Sequence, residues 1–82
     1  MTTILIIKLN EREIVSEKFQ EIISAYGCYI KTRIGLHDAE NDMCSTSGII
    51  ILQLLDRKEI VKDMMRELNS IKYIQIEKVH FN

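Results

Sequence analysis

Ile4–Ile22, ILIIKLNEREIVSEKFQEI, and Ile50–Leu68, IILQLLDRKEIVKDMMREL, read as two copies of one unit offset by 46 positions. The pairs Ile4/Ile50, Leu9/Leu55, Glu13/Glu59, Ile14/Ile60, Val15/Val61 and Glu21/Glu67 are identical. Asn10/Asp56, Arg12/Lys58, Glu17/Asp63 and Ile22/Leu68 keep their character. Each copy opens with an apolar run and continues into an amphipathic stretch. An apolar strand followed by a helix, occurring twice, is the signature of a split βαβ domain.

Working outward, the first strand is expected over Thr3–Leu9, with Asn10 and Glu13 as a capping box for the helix that follows. Ile14, Val15, Phe19, Ile22, Ile23 and Tyr26 recur at helical spacing, and Gly27 stands at the position that ends helices. The second strand, Cys28–His37, alternates Ile30, Thr32, Ile34 and Leu36 against Tyr29, Lys31, Arg33 and Gly35, as a half-exposed edge strand does. A polar loop, HDAENDMCSTSG, leads to a third strand over Gly48–Leu55. Asp56 and Glu59 repeat the capping box, and Ile60, Val61, Met64, Met65 and Leu68 form the second helical stripe. A last strand is expected over Lys72–Phe81.

The order βαββαβ predicts an α+β, ferredoxin-like single domain over residues 1–82, a four-stranded antiparallel sheet ordered 4-1-3-2 with both helices on one face. The first and third strands are apolar on both faces, which independently puts them in the middle. Helices cover one face only. One set drawn from Ile4, Ile6, Leu5, Ile7, Ile49, Ile50, Ile51 and Leu52 is therefore left uncovered, and apolar patches of that kind mark interfaces. A second copy packed sheet to sheet is the simplest cover, so a homodimer or tetramer is expected.

Composition narrows the function classes. The 82 residues suffice for one small core, since chains of this size bury roughly 60% of their unfolded surface. They are 46% hydrophobic and 28% charged, without proline or tryptophan, which argues for a compact folded domain rather than a disordered one. Formal net charge is −1 with both signs interspersed, so no basic block offers a footprint for direct nucleic-acid binding. The apolar run Ile4–Ile7 is stopped by Lys8, too short for a signal core or a membrane span, and a cytoplasmic location is expected. Cys28 and Cys44 flank the second strand, roughly 30 Å apart at about 3.3 Å per residue, which argues for reduced thiols.

Three groups of residues carry candidate chemistry. His37 and Cys44 are the only closely spaced soft ligands, half a nickel or zinc site that a symmetric dimer would complete. His80 belongs to the opposite edge strand and cannot assist within one subunit. Lys31 and Arg33 on the edge strand can hold an anionic effector at a subunit boundary, beside Gly35, where another backbone can approach closely. Charges on an edge strand also discourage stray strand pairing. Nucleophilic catalysis by Cys44 or by Ser45-Thr46-Ser47 lacks an elbow, a phosphate loop and a positioned base other than His37, so a non-enzymatic domain is expected. Met64 and Met65 read as core. The mixed charges of the two helices, among them Lys58, Lys62 and Arg66, read as solvated faces.

Arg33-Ile34-Gly35-Leu36, the polar loop, and Gly48-Ile49-Ile50-Ile51-Leu52-Gln53-Leu54-Leu55-Asp56 resemble the iron-only hydrogenase system regulators, stand-alone domains of about this length. Asn69 to Ile76 matches the family's final turn and strand, so the resemblance spans essentially the whole chain. It implies a fold similar to ACT domains and to the C-terminal domain of nickel-responsive repressors. It also implies a role in regulation, transcription included, through a small effector or a protein partner. The chain departs from the family at His37 and at Lys72-Tyr73, where the family carries proline and proline-glycine, and at Arg57, where it carries glycine. It also lacks the histidine-x-histidine strand motif of the nickel-responsive proteins, leaving His37 and Cys44 to echo that site.

Overall fold

A computed structural model describes residues 2–10, 12–37 and 48–82, with the side chains of 12–16, 36 and 37 left aside. Strand β1 spans Thr2–Leu9, helix α1 Arg12–Ala25, β2 Ile30–His37, β3 Gly48–Leu54, α2 Lys58–Asn69 and β4 Ile74–Phe81. The sheet is antiparallel in the order β2-β3-β1-β4. This is the expected ferredoxin-like arrangement, with the two doubly apolar strands at its centre.

Which face the helices cover is settled by register. Leu5, Ile7 and Leu9 of β1, with Leu52 and Leu54 of β3, are buried against Phe19, Ile22 and Ile23 of α1 and Val61, Met64 and Leu68 of α2. Ile50, Ile74 and Ile76 pack partly into the same core. Burial of each fully enclosed side chain such as Leu5 or Met64 contributes about 1.5–3 kcal/mol. Ile4 and Ile6 therefore point away from the helices, as do Ile49 and Ile51, because successive strand residues alternate.

The internal repeat is shifted by one in the strands. Core positions correspond as Leu5/Ile50, Ile7/Leu52 and Leu9/Leu54, an offset of 45 (50 minus 5), not the 46 of the identical residues. A strand has a side-chain period of two, so an offset wrong by one exchanges its faces. The helices tolerate both offsets, because each stripe is two residues wide. Phe19/Met64 and Ile22/Leu68 are all buried.

Four local expectations are corrected. Residues Gly27–Tyr29 form a 3-10 turn, so Cys28 precedes β2 rather than opening it, and it is exposed. Gly27 lacks a positive φ and is not a left-handed helix stop. The N-cap of α2 is Arg57, without a side-chain cap bond, so the Asp56–Glu59 box does not form. Glu59 still sits in the first turn, where the helix dipole favours it. The side chain of Glu13, needed for the first box, is outside the described residues.

The fourth correction concerns β2. Its pairing with β3 shifts between Ile30 and Thr32, leaving Lys31 as the extra residue of a bulge. Ile30 thus joins the core side, while Thr32 and Ile34 face the open side, against a simple alternation that puts all three together. The hydrogen bond between Thr32 Oγ1 and Gln53 Oε1, 3.1 Å, confirms that face.

Candidate functional site

Two regions stand out, on different faces and edges. The first is the open face of the sheet. Its rows are set by direct cross-strand pairing: Ile34, Ile51 and Ile6 in one row, with Ile4 and Val79 in the next. Ile6, Ile34, Val79 and Phe81 remain 37%, 47%, 36% and 56% exposed, a contiguous apolar surface that no element among the described residues covers. Lys8, Gln53, Gln75 and Glu77 share this face and give it a polar margin.

The expected effector residues are on the β2 edge. Arg33 pairs with buried Leu52 and Gly35 with Ile50, so both belong to the helix side of the strand, opposite to Ile34. Lys31, Arg33 and Gly35 are all exposed. A Cβ added to Gly35 meets nothing within 4 Å. Among the described residues nothing stands where a side chain at that position would go. His37 ends β2 opposite Gly48, while its side chain and Cys44 fall outside the described residues. His80 is in β4, at the far edge of the sheet, as expected.

The second region was not anticipated. A cleft of about 790 Å³ runs between α2 and β4. Lys58, Lys62 and Arg66 line it from the helix and Lys78 from the strand, with Asp56 as its one carboxylate side chain. Lys78 and His80 pair with the buried Leu5 and Thr3, which places them on the helix side of β4. His80 Nδ1 lies 3.1 Å from the hydroxyl of Thr3, the buried polar side chain among the described residues. Val61 and Met65 supply the apolar wall, so Met65, expected in the core, is only half-buried and shared with the cleft. Arg66 is held by Asp63 at 2.8 Å.

The sequence concealed this site because its residues come from distant segments. Lys58, Lys62 and Arg66 have the spacing of one helix face, and such a stripe is ordinarily just solvated. Only the crossing of α2 beside β4 brings Lys78 and His80 into the same space. Among the described residues, no cluster of three or more His, Cys, Asp or Glu side chains has metal-binding proximity. No described helix is long and apolar enough to cross a membrane.

No protein-family profile and no curated protein matches the chain. Solved structures do. An uncharacterised protein of Thermotoga maritima, TM1266, superposes with a TM-score of 0.86 at 21% identity, over 99% of this chain and 96% of that one. CPII, a nitrogen regulatory PII-like protein of Thiomonas intermedia K12 in complex with ADP, AMP and bicarbonate, superposes at 0.62 and 11% identity, over 99% and 92%. A formyltetrahydrofolate deformylase of Pseudomonas putida KT2440 gives 0.59 at 12%, the chain spanning 29% of that enzyme. At these identities the likeness is one of fold: a small ferredoxin-like domain of the kind that PII-like regulatory proteins also use.

Proposed function

We propose that the chain is a non-enzymatic regulatory domain that self-associates through the open face of its sheet. A small effector or a protein partner binds where the β2 edge borders that interface, with Lys31, Arg33 and Gly35 exposed there and Arg33 and Gly35 on the helix side of the strand. The observation that carries this reading is the uncovered apolar face of Ile6, Ile34, Val79 and Phe81. Large apolar patches on small domains usually mark interfaces, and a second copy offers a matching one. The fold shared with a PII-like protein solved with small ligands gives the regulatory part its support. The resemblance at Arg33-Ile34-Gly35-Leu36 directs that role toward an iron-only hydrogenase system.

Regulation in such an assembly is population shift. An effector acts only as far as it binds one packing arrangement more tightly than another, since equal affinity shifts nothing. Sedimentation equilibrium of the wild type and of Ile34→Asp tests the reading. The wild type is expected to sediment as a dimer or tetramer, and Ile34→Asp as a folded monomer, because Ile34 is 47% exposed and contributes little to the core. A wild type that stays monomeric at high concentration contradicts it.

A further inference from the structure

We propose that the cleft between α2 and β4 is a binding site for a small organic phosphate. Lys58, Lys62 and Lys78 would hold the anionic head, and Val61 and Met65 would receive an apolar body. The argument starts from charge. The cleft is lined by four cationic side chains against one carboxylate side chain, on a chain whose formal net charge is −1. Arg66 is already engaged by Asp63. Among the described residues Lys58, Lys62 and Lys78 have no ion-pair partner, although they converge on one concavity from two elements.

Converging like charges repel, and the repulsion grows where a concave apolar wall excludes water. An anion in the cleft removes it. Three lysines are mobile point charges with three donors each, suited to a phosphate whose oxygens face several directions. His80 has Nδ1 engaged with Thr3, which leaves Nε2 as its contact for a ligand. The volume, about 790 Å³, is within the range of small-molecule clefts, and the neighbouring Val61 and Met65 favour a head joined to a flat apolar body over a bare inorganic ion.

This site does not depend on self-association. It sits at the β4 edge, while Lys31, Arg33 and Gly35 occupy the β2 edge, about 14 Å away across three strand spacings. A monomeric protein could still bind there, and a dimer could lack the ligand, so the two readings fail separately.

The test is calorimetric titration of the purified chain with adenosine monophosphate, adenosine and pyrophosphate, alongside amide chemical shifts. Adenosine monophosphate is expected to bind, and adenosine about tenfold or more weakly, because it lacks the charge-assisted contacts. The double variant Lys62→Glu/Lys78→Glu is expected to weaken the nucleotide by at least about tenfold. Lys18→Glu, on the exposed surface of α1 away from the cleft, is expected to leave affinity unchanged. Shifts on the wild-type protein, which need no variant to fold, should centre on Lys62, Met65, Lys78 and His80. Failure of adenosine monophosphate to bind at millimolar concentration, whether or not pyrophosphate binds, would overturn the proposal. So would undiminished affinity in the double variant, loss of affinity in Lys18→Glu, or shifts centred elsewhere.

Discussion

Tyr73 adopts φ 65°, the left-handed region, immediately before β4. Its carbonyl accepts a hydrogen bond from the Asn10 amide at 2.7 Å, tying the end of β1 to the start of β4. A bulky residue is costly in that conformation, and this is the position where the resembled family carries glycine. The departure noted in the sequence thus has a physical meaning: the turn is kept and a side chain is strained to keep it. Tyr73 is 51% exposed, so little packing is lost by trimming it. Tyr73→Gly is expected to stabilise the fold by about 1 kcal/mol, the left-handed penalty less the added chain entropy of glycine. Urea denaturation of the two proteins checks it, and a destabilised Tyr73→Gly would show that the ring packs more than its exposure indicates.

Among the elements, α1 and α2 are joined at their surface by the Tyr26 hydroxyl, which donates to Glu67. The hydrogen bond to Glu67, then partial burial and the nearby carboxylate charge, push the Tyr26 phenol from its ordinary 10.0 up to about 12. Because the folded value is raised, the stabilisation is complete below pH 10 and is lost as pH rises toward 12. Urea midpoints of the wild type should therefore fall more steeply over that window than those of Tyr26→Phe. Parallel curves would show that the phenol titrates alike in the folded and unfolded chains.

The elements also show what the sequence could and could not reveal. Strand and helix order was legible because periods of two and 3.6 are set by burial, and Leu5, Ile7, Phe19, Met64 and Leu68 are all enclosed. The bulge at Lys31 was not, because Thr32 and Ile34 continue an alternation that looks unbroken. The capping box of α2 was read from residue types alone, whereas the N-cap falls one residue later, at Arg57. For the candidate sites, the open apolar face was visible as strands apolar on both sides. The lysine cleft was hidden, since Lys58 and Lys78 meet only through the placement of α2 beside β4.

At the scale of the whole molecule, the fold divides its apolar residues into a covered set and an uncovered one. Leu5, Ile7, Leu52 and Leu54 lie beneath two helices. Ile6, Ile34, Val79 and Phe81 are covered by none of the described elements. A domain of 82 residues has little core to spare, and association is the usual way for small folds to bury what remains. On the proposed reading the sheet face serves assembly, and the two charged regions at opposite edges are left for ligands. Native mass spectrometry of the protein purified without chelator weighs the assembly and anything retained in it. The account predicts a dimer or tetramer of the 9.6 kDa chain, and a species of 9.6 kDa at every concentration would contradict it.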